Sequence, residues 1–375
     1  MKKYVLGLLI PMLALAGCQQ AVQEQEPVQE VIVEEDKEVQ FVAVGDNLIH
    51  GLIYYYGDQG DGTYDFDAMY ARVSDTISSA DVAYLNQETI CGGTELGLQS
   101  YPTFNSPYEI LDGVANAGFD WISTCSNHSM DVGEQGILNQ LAYIDDLPLI
   151  QTGTHADESD LHAYRVIERN GLRIGLLSYT YGLNGFVLPQ GKEYLVDLIN
   201  EDQIEADMEA IKKISDVQVV SMHWGDEYQF EPNEEQQRLA QMLSDLGADV
   251  IIGSHPHVLQ PMDLLTGKEG NQTLVWYSLG NFVSAQDVNY RMLGGMAQWT
   301  LVYHPADQSV TFEDVCFEPT VMYFDPMATD VQVYPLSEYR DELGTTHMLW
   351  EQDMTKQYFI DLSKEIMGDK VELVY

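Results

Sequence analysis

A layered α/β domain with its functional residues gathered at strand ends is the fold this sequence predicts, and three observations predict it. Short, β-branched apolar runs stop at polar, Gly-flanked or His-containing segments. Stretches with apolar and charged residues at helical spacing lie between them. Further along, strand-like runs follow one another with only turns between, which implies an antiparallel portion.

In chain order, the first element is an export signal. Lys2 and Lys3 precede an apolar run and the small-residue stretch Leu15-Ala16-Gly17, followed by Cys18. This pattern predicts a signal peptide over residues 1–17. The apolar run falls short of the roughly 20 residues that a permanent membrane helix requires. The Leu-Ala-Gly-Cys end resembles a bacterial lipobox, which implies that Cys18 is acylated. An extracytoplasmic protein, lipid-anchored to the bacterial cell membrane, is the expectation. Residues 18–38, rich in Gln and Glu with no aromatic side chain, cannot bury a core and read as an acidic disordered tether.

The folded domain is expected over residues 39–330. Buried strands are read at residues 39–47, 81–89, 119–128, 217–226 and 248–257, too short and too β-branched for helices. Residues 66–79 and 200–214 read as helices. The order strand, helix, strand, helix places functional groups at one edge of a sheet. Residues 271–283, 294–305 and 309–324 read as consecutive strands. Residues 331–375 are expected to form a helical extension on the outside, from the helical spacing of residues 336–366.

Charge narrows the functions. Lys and Arg total 17 against 60 Asp and Glu, a formal charge of −43 spread along the chain. Nucleic-acid binding is disfavoured, because phosphate contacts require clustered basic residues. Cation binding is favoured. After Cys18 only Cys91, Cys125 and Cys316 remain, with no C-x-x-C pair, which disfavours a structural zinc site and limits disulfides to one.

Five strand ends finish on candidate metal ligands: Asp46, Glu88, Asn127-His128, His223, and His255 with His257. A single histidine at a strand end is more often a hydrogen-bonded structural residue. A group of them on one sheet edge is the default site of an open α/β sheet. In GSHPHV, a turn at Pro256 can aim His255 and His257 into one cavity. In TCSNHSMD, the Asn127 amide oxygen can coordinate a metal, leaving His128 free to move a proton. Asn281 lies close to a strand end, where a substrate contact and a structural turn role stay equally open. Cys125 reads as a small buried residue and Tyr54-Tyr55-Tyr56 as a packed loop.

The ordered motifs VGDNLIH, LNQET, SNHSMD, HWGDEY, GSHPHVLQP and YSLGNF, over residues 41–283, resemble those of the CapA or PgsA-type poly-γ-glutamate capsule biosynthesis proteins. That family is a branch of the calcineurin-like metallophosphoesterase superfamily. The resemblance implies a four-layer α/β/β/α sandwich holding one or two divalent ions, manganese, iron or zinc, between its sheets. It implies Asp46, Glu88, Asn127, His223, His255 and His257 as ligands, Glu88 as the bridging carboxylate and His128 as the proton donor. Two departures stand out. Gly-Asp-Asn replaces the wider Asp-x-His pattern, leaving His50 as a substitute, and Glu88 replaces the usual aspartate. The resulting expectation is a cell-surface metal-dependent hydrolase linked to capsule polymer synthesis or export. Its expected partners are an anionic polymer, a small phosphoester or γ-glutamyl substrate, and a membrane-bound polymer synthase complex. The alternative is a non-catalytic metal-binding module that anchors or assists export of the polymer.

Overall fold

The computed structural model describes residues 35–375, so the signal peptide, Cys18 and most of the acidic tether lie outside the described residues. Two sheets organise the described part of the chain. In the first, strands run in the order Val331–Pro335, Ser309–Phe324, Leu293–His304, Lys37–Asn47, Val82–Asn86, Trp121–Ser123 and Ile150–Thr152. The second has the order Arg165–Arg169, Leu172–Thr180, Val217–His223, Val250–Ser254, Gln272–Leu279 and Leu259–Thr266.

Alternation along the strands divides the apolar side chains between two faces. In Val217–His223, Val217 and Val219 join the core between the sheets, where Trp276 meets Trp299 and Phe317 at centroid distances of 6.2 and 6.1 Å. Val220 and Met222 of the same strand face outward. They pack on Ile204, Met208 and Ile211 of helix Glu201–Ile211 and on Leu239 and Leu243 of helix Glu234–Asp245. Helix Glu109–Asn116 contributes Ile110, Leu111 and Val114 to the core of the first sheet. The outcome is the expected α/β/β/α order of layers.

All five strands expected at the site form, and those carrying the site residues run parallel within their sheets. Lys37–Asn47 pairs parallel with Val82–Asn86, which pairs parallel with Trp121–Ser123. Val217–His223 pairs parallel with Val250–Ser254. The C-terminal ends of these strands therefore lie at one edge of each sheet, and the sheets stack so that both edges open on one place.

Three local expectations are corrected. Residues 66–79 form two short helices, Asp67–Tyr70 and Ser74–Ser79, in place of one. At the break, Arg72 reaches Gln332 and Glu338 and lies over the Tyr334 ring. Residues 271–283 are not one strand. Gln272–Leu279 lies in the second sheet, antiparallel to Leu259–Thr266 and parallel to Val250–Ser254, whereas Asn281–Val283 pairs parallel with Lys37–Asn47 in the first. The chain changes sheet at Gly280, whose φ of +69° favours glycine. Its carbonyl accepts the Asp46 N–H at 2.9 Å, an approach that Gly45 permits, since a Cβ there would sit 1.9 Å from that oxygen.

The third concerns the tail. Helices Asp341–Thr346 and Lys356–Met367 form within the segment read as helical, but strands Val331–Pro335 and Glu372–Leu373 flank them and extend the first sheet. Met354, Phe359 and Met367 are buried against the main core, so the helices pack on the domain as expected while the flanking strands join the sheet. Among the described residues, no helix is long and apolar enough to cross a membrane.

Candidate metal centre

The structure brings all six expected ligands into one buried cluster. Asp46 ends its strand with Oδ2 3.0 Å from His257 Nδ1. Glu88, two residues past Val82–Asn86, has Oε1 3.4 Å from His257 Nε2 and 3.9 Å from His223 Nε2. Asn127 Oδ1 lies 3.0 Å from His223 Nε2. One ligand atom each from Glu88, His255 and His257 falls within 4.8 Å of the others, a group able to hold a divalent metal ion. Glu88 stands between an Asp46–His257 side and an Asn127–His223 side.

Hydrogen bonds behind the cluster fix these side chains. Ser254 Oγ lies 2.9 Å from His223 Nδ1, which leaves Nε2 to face the cluster. Asn86 Nδ2 donates to Asp46 Oδ1 at 2.9 Å, and the His255 N–H reaches both Asp46 oxygens at 3.3 Å. Ser126 Oγ donates to the Glu88 carbonyl and accepts the His128 N–H, so the two loops are tied to each other. His255 and His257 have φ of +96° and +58°. Neither residue is glycine, and strained backbone of this kind concentrates at functional sites.

Burial without partners is the decisive feature. Both Glu88 carboxylate oxygens and His255 Nδ1 are buried with no hydrogen-bond partner. A polar atom in that condition costs about 1–3 kcal/mol, and a charged one more, unless something binds it. Burial pushes the Glu88 carboxyl well above its usual range, with Asp46, Glu227 and Asp131 adding repulsion and His257 opposing the rise. Burial would lower His257, but the Glu88 and Asp46 carboxylates outweigh it and raise the imidazole to about 9. His223 and His255 are held well below the usual value, first by burial and then by neighbouring imidazoles. Neutral imidazoles beside buried carboxylates form the donor set that a divalent cation takes.

Residues 40–286 match the family model described as bacterial capsule synthesis protein PGA_cap. The chain belongs to this family. It is 36% identical over 190 residues to the PGA biosynthesis protein CapA of Bacillus subtilis, covering 48% of this chain and 46% of that one. To the capsule biosynthesis protein CapA of Bacillus anthracis it is 30% identical over 211 residues, covering 55% and 49%. The matched segments thus span about half the length of these curated relatives. Among solved structures, the calcineurin-like phosphoesterase YfkN of Bacillus subtilis is similar with a TM-score of 0.44 at 15% identity, over 87% of this chain and 100% of that one. NAD nucleotidase of Haemophilus influenzae is similar at 0.47 and 12%, over 91% and 58%.

The missing histidine of the Asp-x-His pattern has a structural outcome in this PGA_cap chain: counted from Asp46 its place is taken by Leu48, a buried apolar side chain. Asn47 turns away from the cluster, donating to Gln87 Oε1 at 2.7 Å and accepting from the Tyr70 hydroxyl at 3.0 Å. His50 does not replace the missing histidine in the cluster. Its Nδ1 accepts the Ala285 N–H, its ring stands edge-on to Phe104, and burial lowers its pKa to about 4. Asn281, expected at a substrate contact or a turn, is fully buried. Its Nδ2 faces the His257 carbonyl, Gln286 and the Arg291 carbonyl, and its Oδ1 lies 3.0 Å from His257 Nδ1. Asn281 orients a ligand and has no donor left for substrate.

His128 lies at the rim, with Nδ1 2.7 Å from Asp131 Oδ2, which also accepts the Phe104 N–H at 2.7 Å. A carboxylate only accepts, so Nδ1 carries the proton in this bond and Nε2 is the atom offered outward. Asp131 had no role in the sequence reading, although its spacing from His128 in SNHSMD is a usable signal. Asn184, Tyr181 and Tyr228 were also missed. Asn184 accepts from Asn127, Tyr181 lies 4.6 Å from the His255 ring, and Tyr228 lies 6.0 Å from the His257 ring. They sit in loops without periodic pattern. Asp226 is turned outward, accepting from Asn233 at 2.8 Å.

Proposed function

We propose that this chain is a cell-surface metal-dependent hydrolase acting on a phosphoester or a γ-glutamyl amide, in the service of poly-γ-glutamate synthesis or export. The observation that carries the proposal is the buried Glu88 carboxylate, without a hydrogen-bond partner and facing His255, His257 and His223. Asp46, Glu88, Asn127, His223, His255 and His257 would hold one or two ions, and their mixture of imidazole and carboxylate suits manganese, iron or zinc. A bound ion would supply Lewis acidity toward the scissile carbonyl or phosphoryl oxygen. As an imidazolium, His128 would deliver its Nε2 proton to the leaving atom, with Asp131 accepting the Nδ1–H and so orienting the ring and stabilising its charge.

The test is metal analysis of the purified full chain after reconstitution with manganese, iron and zinc in turn, followed by a hydrolysis screen over phosphoesters and γ-glutamyl peptides. The expected result is about one to two equivalents of metal and turnover of one class. Less than about half an equivalent with every metal would refute the metal site. A full metal complement without turnover would transfer the protein to the accessory role, metals bridging an acidic protein to polymer carboxylates.

Surface location rests on the first eighteen residues, where Leu-Ala-Gly precedes Cys18. Acylation of Cys18 predicts that the wild type fractionates with membranes and that Cys18→Ser is released to the soluble fraction. Retention of Cys18→Ser in washed membranes would sink the anchor.

A further inference from the structure

Beside the metal cluster stands a cation whose donors are not fully engaged. Arg291, on the short 3₁₀ turn Asn289–Met292, lays its guanidinium carbon 3.6 Å from the centre of the Tyr228 ring and 5.6 Å from that of Tyr290. Tyr228 is tied to the His255–His257 turn, since its N–H donates to the Pro256 carbonyl at 2.8 Å. The Arg291 backbone is tied to the same place through Asn281, which donates to its carbonyl and touches His257. Arg291 is therefore held in register with the metal cluster from two sides.

Its own donors are underused. Nε is buried without a partner, and Nη1 meets only Asp287, a carboxylate 88% exposed and 3.2 Å away. An exposed pair of that kind is weak and readily exchanged. A guanidinium stacked on an aromatic face keeps its N–H edge free, and that planar edge matches the two oxygens of an oxoanion. The charged groups acting on the cluster are otherwise the carboxylates Asp46, Glu88, Asp131 and Glu227 with the raised imidazole of His257. An anionic substrate approaching so acidic a protein gains from a positive side chain beside the metal site.

We propose that Arg291, stacked on Tyr228 beside the metal cluster, is the specificity residue that grips an oxoanion group of the substrate, a carboxylate or a phosphate. The inference rests on the hydrolase reading for the reaction, whereas anion capture is measurable without turnover. The experiment titrates manganese-loaded full chain with inorganic phosphate and, separately, with a γ-linked glutamate trimer by isothermal titration calorimetry, comparing wild type, Arg291→Ala and Arg291→Lys. Arg291→Ala is expected to weaken at least one probe about tenfold or more, and Arg291→Lys to fall between, because it keeps the charge but loses the planar fork. Weakening of the trimer alone identifies a carboxylate grip, of phosphate alone a phosphate grip, and of both a shared oxoanion site. Binding of both probes within about twofold of wild type in Arg291→Ala would overturn the proposal, as would a wild type that binds neither probe. Should Arg291→Ala lose its metal, Arg291→Lys decides: reduced binding at full metal content supports the grip and unchanged binding overturns it. An inactive wild type that shows the Arg291 dependence would refute the hydrolase reading and leave this one standing.

Discussion

Glu88→Gln is expected to empty the metal site while leaving a folded protein. The carboxylate lies between His257 and His223, 3.4 and 3.9 Å from their Nε2 atoms, and neither of its oxygens has a hydrogen-bond partner. Altering groups that merely support metal ligands already costs about 10–100-fold in affinity, so removing this charge should cost more than about 100-fold. Stability separates loss of a ligand from misfolding. Burial holds the Glu88 carboxyl well above its ordinary value in the folded chain. The folded state then keeps a proton that the unfolded chain releases, so this contribution to stability is complete below about pH 4.5 and is lost as pH rises through the folded value. Glutamine cannot ionise. Metal-free Glu88→Gln should therefore melt at a higher temperature than metal-free wild type at pH 8, with the gap narrowing toward pH 5. Metal-loaded wild type should melt above both, since binding to the native state alone stabilises it. Full metal retention by Glu88→Gln, or a lower melting temperature than metal-free wild type at pH 8, would contradict this account.

How far the sequence discloses this architecture depends on where each signal resides. Asp46, Glu88, Asn127, His223, His255 and His257 were visible because each ends or closely follows a β-branched run, and parallel strands deliver such ends to one edge. The partition of residues 271–283 between two sheets was not visible. Alternation with period two reports that a segment is extended, not which neighbour it pairs with, and the deciding contact is between Gly45 and Gly280, far apart in the chain. The tail misled for a related reason, because Val331–Pro335 owes its strand conformation to pairing with Ser309–Phe324. Tyr228 and Arg291 left no trace in the pattern, since stacking across two loops requires no particular spacing. The Glu88 position was legible, but its lack of partners was not, because burial belongs to the packed chain.

His128→Gln should separate proton transfer from metal binding, with turnover falling about 10²–10⁴-fold while metal content stays that of wild type. His128 neighbours the ligand Asn127 but directs Nδ1 to Asp131 at 2.7 Å, so the side chain is not needed to hold the ion. Glutamine is polar and of similar reach, yet it has no titratable proton to give. Asp131→Asn tests the same proton from behind. Asp131 Oδ2 receives both His128 Nδ1–H and the Phe104 N–H, two donors that a carboxylate oxygen accommodates. An asparagine that turns its NH₂ toward the ring would favour the other tautomer, with the proton on Nε2 of a neutral imidazole no longer stabilised as imidazolium when charged. Loss of that stabilisation should reduce turnover first on the high-pH side of the rate profile, where a proton donor is lost, at unchanged metal content. A structural role for Asp131 would lower the melting temperature without moving the profile. Measured on whichever substrate the hydrolysis screen identifies, unchanged turnover and metal in His128→Gln would show that this histidine is not the donor. Asp226 cannot then inherit the role from its observed position, since it is exposed and bound to Asn233, which leaves a solvent molecule as the proton source.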